Sequence, residues 1–348
     1  MITVIIAGGS GTRLWPLSTP DYPKHLLKPL DDRSLLQHTY DRAKKLTDKV
    51  FVITDNSHVQ HVADQLPELQ VGETILSEPG RRGTASCIVY ALAHIVQKHD
   101  ASEPVIFMHA DHLIRDTQSF VRSVKYAMAN SKDRGRIVLL GVEPTYPATG
   151  FGYIERGEDV ATDDRQSIFA VESFKEKPDI ATANKYVVSG RYLWNMGYFA
   201  APIEVFVQEM QKYAPHMHEN MQKLIDAPDE KRAETYLAFE EETIDIALIE
   251  KVKELFVVPG AFDWMDIGSY TDLHAASPVD DDGNYMKGNV GFTDVNGSYI
   301  VNQTETPVAV IGLDNVVVIN TPEGILVASK AQGQKIKDVA KQLMAKKN

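Results

Sequence analysis

A single cysteine, Cys87, stands in a chain of 348 residues. That excludes an intrachain disulfide and fits a reducing compartment. No uninterrupted apolar run reaches the roughly 18 residues that would read as a membrane span. A charged leader with a cleavage site is also lacking, because the chain opens directly on a strand pattern; a cytoplasmic protein is expected. Basic residues are in the minority, with 36 Lys and Arg against 48 Asp and Glu and a formal net charge of −12. Such an excess argues against nucleic acid as a partner. An anionic substrate would need a local cluster of Arg and Lys, together with a divalent cation, to be held by so negative a molecule.

Two familiar glycine signatures are missing as well. The first stretch, Thr3-Val-Ile-Ile-Ala7, reads as a buried strand running into Gly8-Gly-Ser-Gly-Thr-Arg-Leu-Trp-Pro16. Leu14 occupies the place of the third glycine of a dinucleotide loop, and the Gly-Lys-Ser/Thr of a Walker loop does not follow. What remains is a strand emptying into a glycine turn. Gly8, Gly9 and Gly11 let backbone N–H groups approach a ligand, and Arg13 offers a fork of donors suited to phosphate oxygens. By itself such a turn is as compatible with an ordinary loop as with a phosphate cradle.

Down to about residue 140 the chain alternates strand patterns, at 3–7, 49–54, 73–77, 104–109 and 136–142, with helical ones at 34–46, 57–66, 84–98 and 117–130. This alternation predicts an α/β fold, with a Rossmann-like, mainly parallel mixed sheet and helices on both faces. Ligands bind such sheets beyond the carboxyl ends of the strands. Further strands are expected at 151–156, 167–175, 197–201 and 254–259, and helices near 179–189, 203–213 and 230–250. The Asp-, Gly- and Pro-rich stretch 277–288 reads as a boundary. Short β-runs of about six residues at 290–294, 298–302, 307–311, 315–319 and 324–328 suggest a small β-helix-like module, a few coils of a β-helix or a small β-roll. Ile336, Val339, Ala340, Leu343 and Met344 then mark an amphipathic final helix. Two domains follow, 1–276 and 284–348, and the small module with its helix suggests a dimer.

Several motifs carry the chemistry. Beside the glycine loop stand Pro23-Lys24-His25, Glu78-Pro-Gly-Arg-Arg-Gly-Thr-Ala85, His109-Ala-Asp-His112, Thr149-Gly-Phe-Gly-Tyr-Ile-Glu155, Phe174-Lys-Glu-Lys-Pro178, Trp194-Asn-Met-Gly197 and Asp263-Trp-Met-Asp-Ile-Gly268. Their order and spacing, from residue 3 to about 275, resemble the sugar-phosphate nucleotidylyltransferases, and within them the mannose branch. The resemblance implies the nucleotide-diphospho-sugar transferase fold. It also implies an enzyme that makes GDP-mannose and pyrophosphate from GTP and mannose 1-phosphate, with Mg2+ or another divalent cation. The reaction is attack of a sugar-phosphate oxygen on the α-phosphorus, and it asks chiefly for alignment and charge neutralisation.

The same resemblance implies the roles of individual residues. Arg13, Lys24, Asp111, Lys177 and Asp266 would be catalytic, and Asp111 and Asp266 the metal ligands. Ala7, Gly8, Gly9, Gly11, Thr12, Arg13, Glu78, Arg82, Thr84 and Asp111 would hold the nucleotide. Gly152, Glu176, Lys177 and Asn195 would hold the sugar phosphate. Two positions depart from the family pattern: Gly83 stands where Asn is usual, and His25 where Gln is. Each assignment has a plainer alternative. Asp111 and Asp266 are also turn or cap residues by type, Lys175-Glu176-Lys177 is also a solvated charged strand, and Arg81 and Arg82 are also surface charges beside a turn. Asp263 reads as a backbone-bonding neighbour, Trp194 as packing, and Cys87 as a buried helix residue. The histidines around Asp111 would point away from it on a strand, which sets zinc aside.

Other readings stay open beside the leading one. They are a nucleotidylyltransferase for another base or sugar, such as a glucose- or heptose-phosphate enzyme, and a silent regulatory subunit that binds nucleotide sugar. A glycosyltransferase of similar fold would normally carry Asp-x-Asp where this chain has His109 before Asp111. Little chain follows the β-module, so a monofunctional enzyme without a fused isomerase domain is expected.

Overall fold

The computed structural model describes residues 1–9, 12–163 and 166–347, with the backbone alone for Thr12, Lys346 and Lys347. Two compact units form, and neither is one continuous segment. The first comprises Met1–Gly8, Thr39–Ala110 and Ile114–Trp264; the second comprises Gly9–His38, Asp111–Leu113 and Met265–Asn348.

The first unit is built on a nine-stranded sheet in the order Ile75–Glu78, Val50–Asp55, Ile2–Ala7, Pro104–His109, Tyr192–Pro202, Val138–Val142, Phe256–Pro259, Ser167–Lys175 and Tyr153–Thr162. Only Ser167–Lys175 and Tyr192–Pro202 run against the direction of the others. The β-branched and aliphatic strand Ile2–Ala7 is buried along its whole length, as a central parallel strand covered on both faces must be. Register pairs Ile6 with His109, Ala7 with Thr54 and Asp55 with Glu78. The carboxyl ends of four neighbouring strands therefore lie along one edge of the sheet, where this architecture binds ligands.

The helices follow local chemistry. Asp116 caps Thr117–Arg134 by accepting from the Ser119 N–H at 3.0 Å, and Gly135 ends it at a positive φ of 59°. Phe120, Val124 and Met128 form its buried stripe. Helix Gly83–Ile95 buries most of its circumference, including Cys87, whose thiol burial pushes well above its usual range. The helical stretch expected around 230–250 consists of Asp229–Leu237, Ile244–Ala247 and a 3-10 turn, Ile249–Lys251, with a break at 238–243. The break has a tertiary cause: the Glu242 backbone leaves the helix to exchange bonds with the loop before Gly83–Ile95, accepting from Ala85 N at 3.1 Å and donating to Arg82 O at 3.3 Å. Helix Pro215–Asp226, not foreseen from the sequence, buries Met217, Met221 and Leu224.

In the second unit, parallel strands pair eighteen residues apart. Val290 lies against Val308 and Tyr299 against Val317, in two stacked faces. This is the coil repeat behind the six-residue β-runs. The first coil is tighter, since Tyr285 pairs with Tyr299. Gly324–Ser329 closes the larger face antiparallel. Leu14, Trp15, Ile267, Tyr270 and Leu273 share one core with Tyr299, Val317 and Ile319, so the segment after the glycine loop is folded together with the coils. The final helix, Ile336–Lys347, buries Ile336 and Ala340 and packs Met344 on the same core. Val339 and Leu343 do not join them, being 46% and 42% exposed; the docked stripe is narrower than the sequence pattern suggested. Among the described residues no helix is long and apolar enough to cross a membrane.

Candidate active site

The acidic pair lies in the second unit, on a very short ladder. His112–Leu113 pairs antiparallel with Met265–Asp266, with Asp266 opposite His112. This brings together two carboxylates 155 positions apart in sequence, Asp111 being the residue before that strand. Lys24 opens the 3-10 turn Lys24–Leu26. Its Nζ lies 2.8 Å from Asp111 Oδ2 and 2.7 Å from Asp266 Oδ1, with all three side chains less than a third exposed. Burial alone would lower the Lys24 pKa. The charges of Asp111 and Asp266 outweigh it and hold the ammonium well above its usual range. Burial likewise works to raise Asp266, but the Lys24 charge prevails and keeps it below the usual carboxylate value. Ser269, not Asp266, caps the following helix, Tyr270–Ala276.

Arg13 is exposed, and its Nη1 lies 3.8 Å from where a Cβ on Gly268 would stand. Its backbone belongs to a turn that the Tyr270 hydroxyl anchors, donating to Leu14 O at 2.8 Å and Trp15 O at 3.0 Å. Gly9 takes a positive φ of 111°, and the Cβ positions of Gly8 and Gly9 face open space. Gly11 and the side chain of Thr12 lie outside the described residues. His25 is buried, so the departure from Gln puts an imidazole into the interior of this unit.

In the first unit the expected residues form two groups. Glu78 is buried. Its carboxylate accepts from the Tyr236 hydroxyl in the interior, and burial pushes it up to about 7 although that bond and the backbone at Arg82 act the other way. Arg82 spends its guanidinium on Leu237 O, at 2.9 Å from Nε and 2.7 Å from Nη2, and on Arg81 O. The Thr84 hydroxyl accepts from Ile244 N at 2.9 Å. Gly83, at φ 77°, leaves no room for a side chain against the Glu242 backbone. The amide usual at this position could not be housed here.

The second group gathers Gly152, Glu176, Lys177 and Asn195. A Cβ on Gly152 would stand 2.5 Å from Glu176 Oε2 and 3.3 Å from Asn195 Cβ, so only glycine lets these three approach. Asn195 N donates to Gly152 O at 2.8 Å. Glu176 Oε1 pairs with Lys177 Nζ at 2.8 Å, and the Glu250 carboxylate accepts from Glu176 N at 3.0 Å. Lys177 holds a φ of 44°, and Asp294 and Asn315 are the only other non-glycine residues at positive φ among those described. Strain of this sort, at a residue type that does not favour it, concentrates at functional loops. Phe151, Trp194, Trp264 and Tyr146 flank the group in an edge-on aromatic cluster.

Asp245 escaped the sequence reading. Its Oδ1 accepts from Asn195 Nδ2 at 2.7 Å. Burial, and then the neighbouring charge of Glu176, push its carboxyl up to about 7. An acid set in the apolar run Ile244-Asp-Ile-Ala247 was the signal available. Asp263, by contrast, does what its type suggests and accepts from the Arg115 and Asp116 N–H groups.

Residues 2–283 match the profile of the nucleotidyl transferase family, which is most of the chain. The chain belongs to that family. Residues 293–343 match a second profile, the MannoseP isomerase/GMP-like β-helix domain, in agreement with the parallel coils. Among curated relatives, the chain is 32% identical to a mannose-1-phosphate guanylyltransferase of Escherichia coli, across 99% of this chain and 75% of that one. It is 34% identical to the xanthan biosynthesis protein XanB of Xanthomonas campestris, across 99% and 73%. Among solved structures it superimposes with a TM-score of 0.85, at 27% identity and over 99% of both chains, on a Thermus thermophilus protein described as a mannose-1-phosphate geranyltransferase. The chain is thus a nucleotidyltransferase of the mannose-1-phosphate guanylyltransferase-like kind.

Proposed function

We propose that this nucleotidyltransferase transfers GMP from GTP to mannose 1-phosphate, releasing pyrophosphate and GDP-mannose. The observation that carries the reading is the convergence of Asp111 and Asp266 on the single cationic nitrogen of Lys24. The names of the relatives support the base and the sugar. A sugar-phosphate oxygen attacks the α-phosphorus, the bond to the bridging oxygen breaks, and the electron pair leaves on pyrophosphate. No covalent help from the protein is needed, only alignment and charge neutralisation.

In this reading Arg13 and Lys24 take the charge of the triphosphate and the departing pyrophosphate. The backbone around Ala7, Gly8, Gly9, Gly11 and Thr12 approaches the nucleotide, and the loop of Glu78, Arg82 and Thr84 gives its wall shape. Lys177 takes the sugar phosphate, while Gly152, Glu176 and Asn195 meet the sugar. Asp111 and Asp266 supply hard oxygen donors already drawn to one cation, which fits magnesium, and they would hold it. Among the described residues no group of three or more His, Cys, Asp or Glu is placed to hold a metal ion; phosphate and water would complete the shell. When bound, the ion neutralises phosphate charge. The same reading takes 1–276 as the catalytic domain and 284–348 as the β-helix module. It takes the protein as cytoplasmic, supported by the lone buried Cys87, and as a homodimer, supported by exposed Val339 and Leu343 on the final helix.

Pyrophosphate release measured over a matrix of nucleoside triphosphates and hexose 1-phosphates tests the reading. GTP with mannose 1-phosphate should give the highest kcat/KM. A tenfold preference for another pair would reassign the substrate, and no release from any pair would leave only a binding role.

A further inference from the structure

We propose that Asp245 is a positioning residue of the sugar-phosphate site, fixing the Asn195 amide so that its free N–H is presented to the sugar. The inference rests on the reading of that site given above. Asn195 has little freedom. Its main chain is tied to Gly152 O at 2.8 Å, its Oδ1 accepts from Gly197 N at 2.9 Å, and its Nδ2 donates to Asp245 Oδ1 at 2.7 Å. An N–H donor on one side and a carboxylate on the other settle which end of the amide is oxygen. Two of its functions are consumed in this way, leaving one N–H for a ligand hydroxyl. Without Asp245 the amide could rotate about its last torsion, and that donor would lose its direction.

Asp245 is itself well anchored. It lies in the helix Ile244–Ala247, whose first N–H donates to Thr84 Oγ1 at 2.9 Å and whose Ala247 N donates to Thr243 O at 2.9 Å. The charged groups acting on it are Glu176, which disfavours its ionised form, and Lys177, which favours it. Both belong to the same cluster, so the acid is set among the groups assigned to the sugar phosphate and not in a separate structural ion pair. Accurate placement of a hydroxyl partner by such a supporting carboxylate is a known lever on affinity.

The test compares Asp245→Ser, whose oxygen is too short to reach Asn195, with Asp245→Asn, which keeps an acceptor at the same distance. Asp245→Ser should raise KM for mannose 1-phosphate about tenfold while KM for GTP stays within twofold, and Asp245→Asn should restore most of the loss. On an Asn195→Ala background Asp245→Ser should add less than twofold, because its effect passes through that amide. Equal rises in both KM values, or full additivity in the double variant, would overturn the proposal. Lys177→Ala separates this failure from that of the underlying reading. If it raises KM for the sugar phosphate while Asp245→Ser does not, only the role of Asp245 falls. If neither changes it, the placement of the sugar-phosphate site falls too.

Discussion

Asp266 lies opposite His112 in a ladder only two residues long, and this pairing sets Asp266 beside Asp111. Neither carboxylate can be neutralised without changing the charge that faces Lys24. Asp111→Asn keeps the size of the side chain and one oxygen acceptor. Turnover should fall by at least about 100-fold, the usual loss when a group that stabilises developing charge is removed. The folded state should persist, as judged by an unchanged circular-dichroism spectrum. Activity within a few-fold of wild type would remove Asp111 from the assigned set.

Lys24→Met leaves two partly buried carboxylates facing one another without their cation. Because both retain some solvent, the cost should be about 1–3 kcal/mol and not the larger value of a fully buried broken pair. Magnesium should then raise the thermal midpoint of the variant more than that of wild type, in which the ammonium already occupies the position between the carboxylates. Scanning calorimetry with and without millimolar magnesium reads this directly. Equal shifts in the two proteins would show that the ion does not bind between these side chains.

Much of the architecture could be read from local pattern. The strands around Ile2–Ala7 and Pro104–His109 announce themselves as apolar runs, and the coils of 290–329 as short β-runs with turn residues between them. Lys24, Asp111 and Asp266 were legible because motif order brings them forward, although nothing in periodicity says that they touch. Arg82 shows where such reading stops. A guanidinium in the turn Gly80–Gly83 looks free for phosphate, yet the last carbonyls of helix Asp229–Leu237 lack intrahelical partners, and Arg82 satisfies Leu237 O from 155 residues away. Asp245 was hidden for a related reason. Its meaning depends on Asn195, fifty residues distant, and a four-residue helix carries no period of its own.

Glu78 gives a pH signature. Its folded-state pKa is raised from 4.5 to about 7, so the native state holds a proton that the unfolded chain releases earlier. Stability from this group is therefore fully present below about 4.5 and is lost as pH rises through about 7. Glu78→Gln keeps an acceptor for the Tyr236 hydroxyl and does not titrate. The difference in thermal midpoint, wild type minus Glu78→Gln, should decline from pH 5 to pH 8. A difference that is flat or increases across this window would contradict the assigned direction.

Lys177 separates backbone strain from side-chain function. Its φ of 44° costs a residue with a Cβ about 1 kcal/mol relative to glycine, while its N–H still donates to Phe151 O at 3.2 Å. Lys177→Ala and Lys177→Gly both remove the amine, so both should raise KM for mannose 1-phosphate by the same factor. They differ only in the strain they keep. Alanine retains it; glycine relieves it, offsetting the extra freedom that glycine gives the unfolded chain. In most positions the glycine variant would be the less stable of the two. Here its thermal midpoint should equal or exceed that of the alanine variant. A clearly lower midpoint for Lys177→Gly, at equal KM, would mean that the left-handed backbone at this loop carries no strain, and would leave the amine alone to explain why lysine stands there.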